Sequence, residues 1–401
     1  MASALALAFA AALAAPAAPA GDAAPTLQTR VDAVIDQAIA EQRIVGAVVL
    51  VSVDGKVVYQ RAAGLADREA GRPMRRDTVF RLASVTKPIV SAAAMRLVER
   101  GELSLDDAVT RWLPDFRPRL PDGSQPTITV RQLLTHTSGL SYRLMEPPGG
   151  PYDRLDISDG LDQPGLSLDE NLRRLAQAPL AYEPGTSWRY SLSLDVLGAV
   201  IERAAGRPLP DVVRETVTAP LGLRRAGFKA DHAEELATPY FDARPQPQRM
   251  WDGVDVPIGG AVARFAPSRI LDARSYPSGG AGMVATADEV LTFLEAVRQG
   301  GRPILSPATV QAMTTDQVGP QAQTQGPGWG FGYGWAVLVD PALAKSPQSA
   351  GTYQWGGAYG HSWFVDPARR LTVVAMTNTA FEGMNGRFTT DLRNAVYESA
   401  P

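Results

Sequence analysis

Cysteine is absent from the 401 residues. Disulfides, thiolate metal sites and cysteine nucleophiles are thereby excluded together, while the redox compartment stays undetermined. Histidine is nearly absent: His136, His232 and His361 are too few and too scattered for a histidine-built metal centre. Neither charge dominates, since 39 Lys and Arg face 42 Asp and Glu for a net charge of -3. That balance offers no broad attraction for nucleic acid or an anionic membrane and favours small neutral or weakly polar partners. Lysine is scarce as well. Lys56, Lys87, Lys229 and Lys345 are the only ones, and every other basic residue is arginine. Beyond the opening residues no run is apolar and long enough to span a bilayer. What the chain does have is 45% hydrophobic residues, enough for a sizeable core and for two lobes.

The opening "MASALALAFAAALAAPAAPAGDAAP" carries a short apolar run and then Ala18-Pro19-Ala20, an A-x-A cleavage pattern before Gly21. Residues 1–20 read as a signal peptide, with export to the periplasm or the medium. No Lys or Arg precedes Arg30, so the positive start of such a signal is missing, and an Ala/Pro leader on a cytoplasmic protein is the alternative.

Farther along, Val31, Val34, Ile35 and Ala38 recur at helical spacing and predict a helix over 26–42. "AVVLVSVDGKVVYQRAAG" predicts two strands joined at Asp54-Gly55, which opens an antiparallel sheet. Arg68, Arg72, Arg75 and Arg76 form a solvated rim beyond it. Residues 104–275 read as short helices between Pro- and Gly-rich loops, and the loops 142–166 and 239–262 are long enough to serve as site walls or as surface excursions. Strand signals return in "GYGWAVLVD", "HSWFVDP" and "LTVVAMTN", and a last helix is predicted over 384–398. Strands at both ends with helices between predict an α/β lobe made of 26–103 plus 276–401 and an inserted, mainly helical lobe of 104–275.

Within "FRLASVTKPIVSAAAMRLVERGEL", Ser84 and Lys87 stand at i and i+3, on one face of a helix that Pro88 places at its first turn. There the Ser84 N–H is free to donate to a developing oxyanion, and the helix dipole favours negative charge. Lysine suits proton transfer where arginine does not, because its charge can be removed by desolvation while guanidinium stays protonated. The bland alternative is an exposed helix start beside a solvated lysine. Tyr190, in "WRYSLSLDVLGAVIERAAGRPL", precedes a helix and offers a phenol as a second proton carrier. In "QWGGAYGHSWFVDP", Gly356 and Gly357 leave a strand edge bare for a substrate carbonyl, with the Ala358 N–H as second oxyanion donor.

Together these segments resemble the serine β-lactamase and penicillin-binding protein superfamily: "SVTK" is similar to its S-x-x-K motif, "YSL" stands at Y-x-N, and "WGG" stands where that family has K-T-G. Trp355 and Gly356 in place of Lys-Thr, and Leu192 in place of Asn, resemble the family VIII carboxylesterases. The resemblance covers nearly all of the chain after residue 26, including "LLTHTSGL" and "APLGLRRAGF". It implies a β-lactamase-like fold, an acyl-enzyme on Ser84, Lys87 and Tyr190 handling protons in an order left open, and no metal or cofactor. The β-lactamase anchor for a substrate carboxylate is missing at Trp355 and Gly356, so the resemblance implies uncharged, short-acyl ester substrates with weak β-lactam hydrolysis. Acyltransferase, D-amino-acid peptidase and β-lactamase activity remain alternatives on the same residues, as does a silent binding protein. A different chemistry would use "GHSWF" around Ser362 as a nucleophile elbow, but its flanking strands do not lead into a helix. His361 reads as a wall residue and His136 as a loop-fixing one. Of the tryptophans, only Trp355 is assigned to the site.

Overall fold

The structure, a computed structural model, describes residues 25–320, 322 and 324–398; the leader 1–20 and its cleavage pattern lie outside the described residues. Helix α1 (Leu27–Ala40) starts on a Thr26 cap, whose hydroxyl accepts from the Thr29 N–H. Strands β1 (Gly46–Val53) and β2 (Lys56–Asp67) then form the hairpin. Its turn residues Asp54 and Gly55 both take positive φ, 56° and 80°, the conformation that suits a tight hairpin to the right-handed twist of strands. A two-residue strand β3 (Arg72–Pro73) extends β2.

After helix α2 (Thr86–Glu99), the region between the two strand-rich ends contributes α3 (Ser193–Ala205) and several shorter helices. Helix α4 (Ala287–Arg298) is opened by a reciprocal Thr286/Glu289 cap. Strands β4 (Trp329–Phe331), β5 (Ala336–Leu338), β6 (Tyr353–Gly357), β7 (His361–Asp366) and β8 (Leu371–Thr377) follow, and α5 (Arg387–Tyr397) comes last. The eight strands make one sheet in the order β4-β5-β6-β7-β8-β1-β2-β3, antiparallel throughout. β1 is therefore seated against β8, with Val49 opposite Ala375.

Strand β1 is buried on both faces, and its alternate side chains enter different cores. Ala47, Val49 and Val51 pack with Val31 and Ile35 of α1 and with Leu392 and Val396 of α5. Val48 and Leu50 point the other way, into the larger core that includes α2, α3 and α4. α2 thus runs through the middle of the molecule with one end open to a cleft.

Two elements differ from expectation. The loop 239–262 contains a β-hairpin, Val254–Ile258 paired with Ala261–Phe265, because Val254, Val256 and Ile258 alternate with polar or turn residues and Gly259-Gly260 permits the reversal. The terminal helix expected over 384–398 is α5, and a separate, unexpected short helix, Ala380–Asn385, precedes it and is parted from it where Gly386 takes an extended ψ of -172°.

Candidate active site

Ser84 lies at the open end of α2. A short strand, Phe80–Arg81, pairs with Val284–Ala285, and one 3-10 turn, Ala83–Val85, then leads into the helix at Thr86. Ala83 is buried with φ at 43°, a left-handed conformation that a residue with a Cβ adopts only when its surroundings hold it there. Those surroundings are specific. His361 Nε2 donates to the Arg81 carbonyl at 2.8 Å, and the Met283 N–H donates to Thr86 Oγ1 at 3.1 Å, so the Ser84 turn is tied to β7 and to the 278–283 segment.

Lys87 is fully buried one helical turn on. Its Nζ donates to Ser84 Oγ at 3.0 Å and to the Gly280 carbonyl at 2.8 Å. Tyr190, in the segment just ahead of α3, donates its hydroxyl to the same Ser84 oxygen at 2.6 Å. The Lys87 ammonium also faces the Tyr190 ring, 4.6 Å from its centroid, and the Tyr142 ring at 5.3 Å. Three residues named from sequence therefore meet on one oxygen, with Lys87 buried and Ser84 half-buried at the cleft.

An aromatic cluster fixes the phenol. His136, Tyr142 and Trp355 surround the Tyr190 ring at 4.9, 5.0 and 5.2 Å between centroids. Burial pushes the Tyr142 hydroxyl well above its usual pKa, with Tyr190 and Asp195 adding to it. His136 Nδ1 accepts from the Ser191 N–H at 3.2 Å. Burial, reinforced by the Lys87 charge, drives the His136 pKa well below the usual imidazole range. Burial likewise lowers His361 to about 4. Both rings are neutral scaffold at neutral pH.

Strand β6 closes the other side. Its pairing with β5 ends at Gln354, so Trp355, Gly356 and Gly357 form a free edge facing Ser84. A side chain at Gly357 would collide with the Leu82 carbonyl, so glycine there lets the strand pass close against the Ser84 turn. Ser84, Tyr190, Trp355, Gly356 and Ala358 line one cleft of about 580 Å³, whose walls are mostly apolar. Tyr142, Leu144, Met145, Asp159 and Leu161 come from the first long loop and Ile258 from the second, where it packs with Leu144 and Leu161. Tyr152 and Tyr240 are instead buried supports, and Trp251 is an exposed surface residue. Asp159 and Arg393 are the ionisable exceptions in the wall beside Tyr142 and Tyr190, and Asp159 is the acidic one. Burial, partly opposed by Arg143, raises it to about 7, and it accepts from the Arg143 and Leu144 N–H groups at 2.8 and 3.2 Å.

Ser362 lies within β7, not on a strand-to-helix elbow, and the adjacent His361 is committed to Arg81. Trp335 and Trp363 are core residues, whereas Trp188 joins Trp355 in the cleft wall. The residue that sequence reading missed is Gly280, whose contribution is a backbone carbonyl; only the small-residue run "SGGAGM" hints at a close approach there. Among the described residues no cluster of His, Asp or Glu could hold a metal ion, and no helix is long and apolar enough to cross a membrane.

Comparison with known proteins follows the same lines. The family profile described as Beta-lactamase matches residues 31–398. The chain is similar to Esterase EstB of Burkholderia gladioli, 59% identical over 378 residues that cover 93% of this chain and 96% of that protein. It is also similar to the Lovastatin esterase of Penicillium rubens, 27% identical over 85% of this chain and 90% of that protein. Among solved structures, EstCE1, described as a hydrolase with promiscuous acyltransferase activity, superposes with a TM-score of 0.90 at 55% identity, covering 92% of this chain and 98% of that one. Simvastatin synthase from Aspergillus terreus shares the fold, with a TM-score of 0.72 at 24% identity over 92% of this chain and 97% of its own.

Proposed function

We infer that this chain, which belongs to the Beta-lactamase family, is an ester-hydrolysing serine hydrolase acting through an acyl-enzyme on Ser84. The observation that carries the reading is the convergence of Lys87 Nζ and Tyr190 Oη on Ser84 Oγ, at 3.0 and 2.6 Å. In the first half-reaction Ser84 Oγ bonds to the ester carbonyl carbon while its proton passes to the Lys87/Tyr190 pair, which reacts in the form that has already given up one proton. The Ser84 and Ala358 N–H groups receive the oxyanion. The C–O bond to the alcohol then breaks, and the pair returns the proton to the departing oxygen. Water enters by the same route and releases the acid.

Uncharged, short-acyl esters suit the cleft. Trp355 stands where the superfamily has a cationic anchor, and the surrounding walls are mainly apolar. The expected outcome is p-nitrophenyl butyrate turnover that disappears in Ser84→Ala and far exceeds nitrocefin turnover. Equal efficiency on the two substrates would refute the ester preference. EstCE1 favours a second reading, acyl transfer to an alcohol on the same acyl-enzyme. Ester exchange in the presence of an added primary alcohol, measured as new ester per acid released, decides how much of the flux takes that route. We also propose export of the enzyme, on the strength of Ala18-Pro19-Ala20.

A further inference from the structure

Lys87 is fully buried, yet both of its hydrogen bonds go to uncharged acceptors, Ser84 Oγ and the Gly280 carbonyl. A buried ammonium of this kind calls for a compensating negative charge. The first turn of α3 holds a carboxylate that the acyl-enzyme steps do not use. Asp195 is 1% exposed; its Oδ1 accepts from Ser278 Oγ at 2.5 Å, and its Oδ2 has no hydrogen-bond partner.

Gly280 separates this carboxylate from Lys87. A Cβ at that position would lie 2.5 Å from Asp195 Oδ2, 3.1 Å from the Tyr142 hydroxyl and 3.4 Å from Lys87 Nζ. The missing side chain is what lets the two charges face each other. Gly160 does the same on the far side, where a Cβ would meet Ser278 Oγ at 2.5 Å and Asp195 Oδ1 at 3.5 Å. Ser278 is part of the same turn, since its Oγ also accepts from the Ala281 N–H at 2.9 Å.

We propose that Asp195 is a positioning residue for the esterase site: it supplies the negative charge opposite Lys87 and, through Ser278, fixes the turn whose Gly280 carbonyl holds the Lys87 Nζ. The proposal rests on the acyl-enzyme reading above. A second cation, Arg269, also acts on Asp195, while the remaining groups facing the pair are uncharged. Arg269 donates to the backbone carbonyls of Asp162 and Tyr276 and lies over the Tyr276 ring, 4.4 Å from its centroid. Tyr142 and Tyr276 are phenols whose pKa values burial raises. Around Lys87 stand Tyr190 and the neutral His136. Burial also raises the Asp195 pKa, opposed by the Ser278 hydrogen bond, by the Lys87 and Arg269 charges and by the Gly280 backbone.

The test is the pH dependence of p-nitrophenyl butyrate hydrolysis by wild type, Ser84→Ala, Asp195→Asn and Ser278→Ala, with folding checked by circular dichroism. Removing a negative charge favours the deprotonated form of whichever neighbour accepts the serine proton. Asp195→Asn should therefore move the acid limb of kcat/KM to lower pH by about half a unit or more and lower kcat about tenfold with KM little changed. A folded Asp195→Asn with the wild-type limb overturns the proposal. Should that variant not fold, Ser278→Ala decides: lower kcat at unchanged KM supports the proposal, and wild-type kcat overturns it. Turnover surviving in Ser84→Ala would remove the acyl-enzyme reading and this proposal with it, whereas a dead Ser84→Ala beside an unshifted Asp195→Asn removes the proposal alone.

Discussion

A single oxygen, Ser84 Oγ, receives hydrogen bonds from Lys87 and Tyr190, and the environment treats those two residues differently. Lys87 is sealed from solvent between Ser84 and the Gly280 carbonyl. Tyr190 lines the cleft, where a departing alcohol can reach its hydroxyl. Tyr190→Phe removes that hydroxyl while leaving the ring among His136, Tyr142 and Trp355. Its expected effect is on the chemical step: kcat about 10²- to 10⁴-fold lower, the range for a positioned general acid or base, with little change in stability or KM. Steady-state kinetics and a thermal melt check it. A variant that loses stability and leaves kcat intact would make Tyr190 a packing residue. Histidine contributes no limb to the neutral pH profile, because burial holds His361 at about 4 and His136 well below its usual range.

At the level of elements, α2 is held at both ends, and its first turn carries Lys87 just after the Ser84 turn. The far end is clamped by Glu99. Its carboxylate accepts from the Ser306 N–H at 2.7 Å, from Thr309 Oγ1 at 2.5 Å and from Arg96 at 2.8 Å, and Ser306 in turn caps the helix Pro307–Met313. Burial works against the charged form, but these hydrogen bonds prevail and hold the Glu99 pKa at about 2. A folded-state value below the unfolded one stabilises above about 4.5, and that stabilisation is lost as pH falls through about 2. Glu99→Gln should destabilise by about 1–3 kcal/mol at pH 7. The gap should close as pH drops from 4.5 towards 2; urea unfolding at several pH values measures it, and a gap constant with pH would contradict the assignment. The start of α2 was legible in the sequence and the clamp was not. Ser84, Lys87 and Pro88 sit within five residues, whereas Glu99 meets partners more than 200 positions away. The hairpin Val254–Ile258 and Ala261–Phe265 shows the other limit: its alternation is present in the sequence, but beside three glycines and a proline it reads as loop.

Across the whole molecule, the sheet is assembled from the two ends of the chain. The Asp54-Gly55 turn announces β1 and β2, but nothing local says that β1 pairs with β8 rather than with a nearer strand; burial of β1 on both faces decides it. The site has the same character, since Ser84, Tyr190 and Ala358 come from three distant segments and only motif resemblance joined them before the fold did. Such long-range pairing slows folding without dictating the order of the chain. Helices α1 and α5 lie together, with Arg30 Nε donating to the Ala395 carbonyl at 2.8 Å, so residues 26 and 398 can be joined by a flexible linker of about ten residues. New ends can be opened between Gly123 and Ser124, in an exposed turn whose hydrogen bonds are local. Neither change touches β1, β8 or the Ser84 cleft. The permuted chain should fold and hydrolyse p-nitrophenyl butyrate with kcat/KM within about tenfold of the parent, because its catalytic contacts are set by tertiary packing and not by chain order. A chain ended after Pro367 should fail in the same assay, since it takes β8 away from β1. A permuted chain that folds with parental stability but has no activity would show that the link between the 104–275 region and the sheet must run in its native direction to align Tyr190 with Ser84.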